Sequence, residues 1–170
     1  MMFEPANDRQ RHMLEVWERH GYAEFALHDP DAAIATMCDD PYIYCAPLGQ
    51  LLDGRDEVYE FYSQWFLPNV PADVEQELTT RVMDDNHIWD EFIFRFTHDR
   101  EMPWKIPGVP PTGKPVEVVM NVVVGFEGDL IKYEHLMWDH ASVLTQIGLL
   151  DAPAAGIGVK APLLLRGLHT

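Results

Sequence analysis

Two ionisable side chains near the end of the last strand-like segment, His135 and Asp139, have the chemistry needed to move a proton. Residues four apart on a strand point to the same face of a sheet, and Tyr133 and Met137 share this face with them. A carboxyl group in apolar surroundings has a raised pKa and can accept a proton from a carbon next to a carbonyl group. We therefore predict that Asp139 is a general base and that His135 orients or polarises a ligand.

Both residues also have a structural alternative. Their Cα atoms would lie roughly 13 Å apart along a strand, which excludes a direct hydrogen bond and leaves only contacts with opposite ends of one ligand. Asp139 precedes a helical turn and could cap it, as could Ser142. His135 could instead be an ordinary hydrogen-bonded histidine of the sheet.

The pairing of the last two strands decides which side chains enter a pocket. Gly128 and Asp129 form a turn signal between these strands, because glycine at the first position suits a two-residue hairpin turn. A hairpin of this length predicts that Asp139 lies beside Val118, Met137 beside Met120, and His135 beside Val122. A single bulge in the hairpin would exchange these partners.

Apolar side chains from several segments could complete a pocket beside these groups. The predicted substrate-binding side chains are Trp17, Tyr44, Trp65, Phe92, Phe94, Met120 and Met137. Asp90 shares a strand face with Phe92 and Phe94, so it is a second candidate acid, unless it is a solvated charge at a hairpin end. Tyr44 and the two tryptophans could also be core residues.

The elements that position these residues are helices first and strands later. Spacing and capping signals predict helices over 7–27, 29–37 and 53–66, strands over 42–46, 74–83, 88–97, 116–126 and 130–138, and a final helical turn over 142–147. This order predicts an α+β fold in which the N-terminal helices pack on the concave face of a curved antiparallel sheet. Such a cone leaves a pocket at its open end.

The rest of the organisation concerns one loop and the chain end. Residues 1–150 are predicted to form a single domain, and residues 151–170 a tail that packs on the body or on a partner subunit. The loop Asp99–Pro115 contains five prolines, and its length suggests a lid, a subunit contact or a stiff connector. Because the predicted strand phase leaves Leu136 and Trp138 exposed, a homodimer is expected.

Charge and composition exclude several classes of partner. A net charge of −16 repels phosphate backbones and anionic membranes, so the expected ligand is a small hydrophobic molecule rather than nucleic acid or a membrane. Neither a membrane-spanning apolar run nor an apolar N-terminal segment occurs, so a cytoplasmic location is expected. The histidines lack the spacing of a metal site, and Cys38 and Cys45 are expected to be free thiols.

Several short motifs in the second half of the chain resemble one family. They are Phe96-Thr97-His98, Gly108-Val109-Pro110-Pro111-Thr112-Gly113-Lys114, the segment 123–128, Glu134-His135 and Trp138-Asp139. With the order of the elements, they resemble the SnoaL-like (polyketide cyclase-like) family of the NTF2-like superfamily. The resemblance implies an α+β cone without a metal or other cofactor, whose general base is an acidic side chain of the last strand. Asp139 occupies the matching position.

These features together predict a small cofactor-independent enzyme that uses an acidic general base in an apolar pocket. Its chemistry would be that of a cyclase, an isomerase or a dehydratase acting on a hydrophobic carbonyl or ring compound. The alternative is a non-catalytic protein of the same fold that binds a small hydrophobic ligand. A third hypothesis is a structural dimer with a vestigial pocket.

Overall fold

Six strands form one curved, open sheet, and the helices pack against its concave face. The computed structural model describes residues 4–151, and its strands are β1 (Met37–Cys45), β2 (Gln50–Asp53), β3 (Glu75–Met83), β4 (His87–Thr97), β5 (Pro115–Glu127) and β6 (Leu130–Trp138). The strand order is β2-β1-β6-β5-β4-β3. Neighbouring strands are antiparallel except β1 and β6, which are parallel. The predicted α+β class is confirmed, with a mixed rather than purely antiparallel sheet.

Most of the α-helices begin at residues whose side chains cap them, whereas the helix that follows Gly54 has no side-chain cap. The α-helices are α1 (Asp8–Tyr22), α2 (Pro30–Ile34), α3 (Arg55–Glu60) and α4 (His140–Ile147), with short 3₁₀ turns at Ala46–Leu48 and Leu67–Asn69. The Asn7 side chain caps α1, and Asp29 caps α2 just before a proline. Helix α1 continues as a π-helical turn over Ala23–Leu27, and α3 continues as a second one over Phe61–Phe66.

Strand β1 begins earlier than the sequence pattern indicates. The second helix was expected to reach Met37 but ends at Ile34, and the strand starts at Met37. Pro41 lies inside β1, where the register with β6 shifts between Met37 and Tyr42. Proline lacks the N–H group that a regular ladder requires, and such irregularities are where a strand tolerates it.

A bulge in β6 sets the phase of the last strand. The hairpin starts in the predicted register, but the pairing shifts between Gly125 and Phe126 and leaves Lys132 as an extra residue. The strands approach closely here, because a Cβ atom on Gly125 would overlap the ring of Tyr133. Glycine therefore permits the bulged arrangement at this point.

The bulge exchanges the two faces of β6 beyond Lys132. The resulting pairs are Glu134 with Val124, Leu136 with Val122, and Trp138 with Met120. His135 and Met137 therefore lie on the convex face, and the phase predicted from an unbroken hairpin is wrong. Trp138, expected on the outer surface, is buried.

The long loop between β4 and β5 packs into one end of the body. Its side chains Met102, Trp104 and Ile106 are buried, and a bridge between Met102 and Ile106 closes a tight turn. At the base of the loop, the His98 N–H donates to the Lys114 carbonyl at 2.9 Å. So many buried apolar side chains agree better with the predicted connector than with a mobile lid.

Three smaller expectations concern the cysteines, the tail and the membrane. Cys38 and Cys45 are both free thiols. Of the predicted tail 151–170, only Asp151 lies within the described residues. No helix of residues 4–151 is long and apolar enough to cross a membrane.

We predict that Ile88→Ala lowers the free energy of unfolding by about 2–5 kcal/mol, because Ile88 is fully buried under the helices and its loss leaves a cavity. Val82→Ala on the adjacent strand is the control, since Val82 is 57 % exposed and its truncation should change little. Urea unfolding followed by circular dichroism measures both variants. Equal losses would contradict the placement of the core.

Candidate functional site

An apolar cavity of about 280 Å³ lies between α1, the π-helical turn after α3 and the concave face of the sheet. Of the predicted substrate-binding residues, those that line the cavity are Trp17, Phe92, Phe94 and Met120. The predicted Tyr44, Trp65 and Met137 do not line it, and they are 38 %, 38 % and 37 % exposed. Tyr44 and Met137 belong to the convex face because of the strand phase described above.

The two predicted catalytic residues do not line this cavity. His135 packs on the convex face against the ring of Tyr133, and its Nε2 atom lies 3.3 Å from the Tyr42 hydroxyl. Burial lowers the pKa of His135. Asp139 is the N-cap of α4, where its Oδ1 atom accepts a hydrogen bond from the Ser142 N–H at 3.0 Å. The structure thus favours the helix-cap alternative for Asp139.

A buried polar cluster forms one wall of the cavity. His20 Nε2 lies 3.2 Å from Glu24 Oε1 and 3.2 Å from Glu134 Oε1. The Tyr62 hydroxyl donates to Glu134 Oε1 at 2.9 Å and lies 3.0 Å from His20 Nε2. All four residues are buried, and Glu24, Tyr62 and Glu134 line the cavity. These carboxyl and hydroxyl groups are therefore the ones that a ligand would meet.

The far side of the His20 ring is held in a fixed orientation. Its Nδ1 atom lies 2.6 Å from Thr36 Oγ1, and the Thr36 hydroxyl donates its proton to the Ala33 carbonyl at 2.7 Å. Since that proton is already used, Nδ1 must carry the hydrogen of the bond to Thr36. Trp17 stacks on the same ring with a centroid distance of 5.6 Å. Nε2 is thereby aimed at the two carboxyl groups.

Irregular backbone brings three of these residues to the cavity. Glu24 lies in the π-helical turn Ala23–Leu27, and Tyr62 lies in the second one, Phe61–Phe66. Turns of this kind widen a helix locally and are frequent at functional sites. Glu134 points inward only because of the bulge at Lys132.

The charges in the cluster support one another. Burial by itself would lower the pKa of His20, but the adjacent Glu24 and Glu134 outweigh it and raise the pKa to about 10. Burial raises the pKa of Glu24, and His20 only partly opposes this effect. Burial and then Glu134 raise the pKa of Tyr62 well above its usual range. The cluster therefore holds a protonated imidazole beside a carboxyl group that takes up a proton readily.

A second polar group lies at the cavity wall around Asp90. Arg81 donates two hydrogen bonds to the Asp90 carboxylate, both at 2.6 Å, and the Trp17 indole N–H donates a third at 2.8 Å. Asp90 lines the cavity, so its predicted location is correct in that respect. Its oxygens already accept three bonds, which suits a group that positions Trp17 rather than a proton acceptor.

The cluster also contains the atoms that a metal site would need. His20, Glu24 and Glu134 offer ligand atoms within 4.8 Å of one another. A cation would have to displace the proton on His20 and the hydrogen bonds that satisfy all three groups. The sequence signal for this cluster is the four-residue spacing of His20 and Glu24, which places both on one helix face. The spacing between histidines, considered alone, does not reveal it.

Comparison with known proteins agrees with the architecture. A family model described as SnoaL-like domain matches residues 13–134. A candidate SnoaL-like polyketide cyclase from Jannaschia sp. CCS1 is 15 % identical with a TM-score of 0.71, and the match covers 86 % of this chain and 99 % of that chain. AclR, a candidate hydroxylase from Streptomyces galilaeus, is 16 % identical with a TM-score of 0.65, covering 92 % and 98 %.

A third solved structure has the same arrangement. It is a hypothetical protein with a ketosteroid isomerase-like fold from Catenulispora acidiphila DSM 44928, 19 % identical with a TM-score of 0.60, covering 80 % of this chain and 94 % of that chain. No protein with a curated description matches the sequence. At these identities, the solved structures establish the fold alone.

We predict that His20 stays protonated at neutral pH, because Glu24 and Glu134 raise its pKa to about 10. Since the folded-state pKa exceeds the unfolded value, the imidazolium contributes its full stabilisation below about pH 6.5 and loses it as the pH rises through about 10. NMR titration of the imidazole nitrogens measures the midpoint. A midpoint near the ordinary histidine value would show that the cluster does not form.

We predict that Asp139→Ala lowers the free energy of unfolding by about 1 kcal/mol, because α4 loses its cap. Asp139→Asn should change it little, since asparagine caps as well as aspartate does. Thermal unfolding measures both variants. A large stability loss in Asp139→Asn would show that the negative charge has a further role.

Proposed function

The chain belongs to the SnoaL-like domain family, and on this premise we propose that it is an enzyme that moves protons on a hydrophobic carbonyl or ring compound. The observation that carries the proposal is the buried cluster of Glu24, Glu134, Tyr62 and His20 on the wall of an apolar cavity. Buried acids with shifted pKa values that face a cavity are typical of acid–base catalysis.

Glu24 is the general base in this proposal. Burial raises the pKa of Glu24 above its ordinary value, and a carboxylate with a raised pKa takes up a proton more readily. His20 does not line the cavity. It is a positioning residue that orients Glu24 and Glu134 and supplies a positive charge beside them.

Tyr62 would be the hydrogen-bond donor to a ligand oxygen, which has to replace Glu134 as the acceptor of its one hydroxyl proton. Its hydroxyl lies at the cavity wall, 2.9 Å from Glu134 and 3.0 Å from His20. A carbonyl oxygen placed next to this hydroxyl would receive a hydrogen bond while Glu24 removes a proton from the neighbouring carbon. Stabilisation of developing negative charge by such a donor is a large term in enolisation chemistry.

The remaining cavity wall supports the proposed substrate class. Its side chains are mostly aromatic or aliphatic, and Phe92, Phe94 and Phe66 present rings to the interior. An apolar wall with a few convergent polar groups is typical of a site for a small hydrophobic molecule. With a net charge of −16, the chain gives an anionic substrate no long-range attraction.

This proposal moves the chemistry away from Asp139 and His135. The reaction class expected from the sequence is kept, namely proton abstraction as in a cyclase, an isomerase or a dehydratase. The acidic side chain that acts as general base is instead Glu24 on the π-helical turn, and Glu134 on the last strand supports it. The side chains alone supply the acid, the base and the hydrogen-bond donor that this chemistry requires.

One observation favours the alternative of a binding protein without catalysis. The polar atoms of the cluster already satisfy one another, and Glu134 accepts from Tyr62 at 2.9 Å. A ligand would have to compete with these bonds to be activated. Binding of a hydrophobic compound without turnover would support this alternative.

We predict that the protein accelerates the exchange of α-protons for deuterium in at least one neutral cyclic ketone dissolved in D₂O. Glu24→Gln should slow this exchange by about 100-fold or more, because a positioned base typically contributes that much. NMR of the ketone measures the rate. Glu15→Gln is the matched control, since Glu15 is an exposed glutamate of the same helix.

The result that contradicts the assignment is also specific. Exchange that continues at the wild-type rate in folded Glu24→Gln would show that Glu24 is not the base. Tyr62→Phe keeps the ring and removes only the donor, so it reports on stabilisation of the oxygen separately from proton removal.

We also propose that two copies of the chain associate through the convex face of the sheet. Tyr44, Leu51 and Met137 lie on neighbouring strands there and are 38 %, 56 % and 37 % exposed. They replace Leu136 and Trp138 as the apolar surface expected to drive association. Sedimentation velocity should show a dimer that Tyr44→Glu converts to monomer. A monomeric wild-type protein would contradict this assembly.

A further inference from the structure

A lysine side chain lies fully buried at the end of the cavity opposite the acid cluster. Lys105 belongs to the long β4–β5 loop, and its backbone N–H donates to the Met102 carbonyl at 2.9 Å, which fixes the turn. Within residues 4–151, no carboxylate forms an ion pair with it. A buried amine without a counter-ion is rare, because burial strongly disfavours an isolated charge.

Aromatic rings surround the amine. The Nζ atom lies over four rings, at centroid distances of 4.0 Å from Trp138, 5.0 Å from Phe94, 5.4 Å from Trp104 and 6.0 Å from Phe96. Among the described residues, its one side-chain hydrogen-bond contact is the Met120 sulfur at 3.0 Å, which is a weak acceptor. The amine is therefore held in place without being neutralised by a partner.

The same side chains separate this amine from the cavity. Met120, Phe94 and Trp104 line the cavity and also contact Lys105. Methionine is flexible and changes rotamer readily, so a turn of the Met120 side chain would bring Nζ to the cavity surface. Along β5, Met120 lies roughly 13 Å from Val124, the partner of Glu134. The amine therefore lies behind a different part of the cavity wall from the acid cluster.

We infer that Lys105 is a covalent capture site for hydrophobic aldehydes or ketones, which it binds as a Schiff base through Nζ. The amine lone pair attacks the carbonyl carbon and gives a carbinolamine. Loss of one water molecule then forms the C=N bond, and no oxidant or reductant takes part. A desolvated lysine in an apolar pocket is a recognised form of activated amine nucleophile.

The groups near the amine agree with this role. Burial lowers the pKa of Lys105 to about 7, so a substantial fraction of the amine is neutral at physiological pH. His140 also lies close enough to interact with Lys105. The pKa of His140 is lowered mainly by burial and further by the charge of Lys105. Burial raises the pKa of Cys45 to about 11, which keeps the thiol protonated beside the amine.

The test is reductive trapping with benzaldehyde and sodium cyanoborohydride at pH 7.5, followed by peptide mass mapping. The chain has four lysines. The exposed Lys114 and the partly exposed Lys132, whose Nζ forms an ion pair with Asp40, serve as internal references. Lys105 should be labelled at least about tenfold faster than either reference, because its amine is neutral and bound aldehyde lies beside it. Lys105→Arg should lose this label and keep the slow ones.

Two further variants test the route to the amine. Met120→Ala should speed the labelling of Lys105, and Met120→Phe should slow it, because Met120 separates the amine from the cavity. Because benzaldehyde has no α-proton, its labelling of Lys105 does not require the proposed proton transfer, so a failure of that transfer is distinguishable from a failure of this inference. The inference would be overturned if Lys105 were labelled no faster than Lys114, or only after unfolding. Wild-type protein is sufficient for this measurement.

Discussion

The hydrogen-bonded cluster of His20 with Glu24 and Glu134 is the constraint on which the arrangement of the fold depends. Two carboxyl groups and an imidazole cannot be buried against an apolar wall unless each finds a partner, because an unpaired buried charge costs several kcal/mol. The cluster joins α1 to the last strand, and Tyr62 connects the π-helical turn after α3 to the same cluster. The helices are thereby held on the concave face at one orientation, with the cavity between them.

Local departures from regular geometry place these groups. The two π-helical turns carry Glu24 and Tyr62, and the bulge at Lys132 turns Glu134 inward. Regular helices and an unbroken hairpin would direct other side chains to these positions. Such irregularities weaken backbone ladders, and the polar contacts that they permit offset the loss at the site.

The cavity separates two buried basic groups that have opposite shifts. His20 is paired with carboxyl groups, so its pKa is raised to about 10, whereas Lys105 forms no ion pair with a carboxylate of residues 4–151, and burial lowers its pKa to about 7. Burial lowers the pKa of both groups, and the presence or absence of a neighbouring carboxylate decides the direction of the net pKa shift. One cavity therefore lies between a buried positive charge on one side and a partly neutral amine behind the wall on the other side.

The residue pattern was sufficient for the α+β class, the order of most elements, the cap of the second helix and a cavity face on Phe92 and Phe94, because these follow from local spacing and capping chemistry. The resemblance in the second half of the chain also indicated the correct family. Tertiary structure decided the face of β6, since one extra residue at Lys132 reverses every side chain beyond it and no local signal marks that residue. It also decided the site: His20, Tyr62 and Glu134 are far apart in sequence, and only the packing of α1 and α3 on the bulged strand brings them within hydrogen-bond distance.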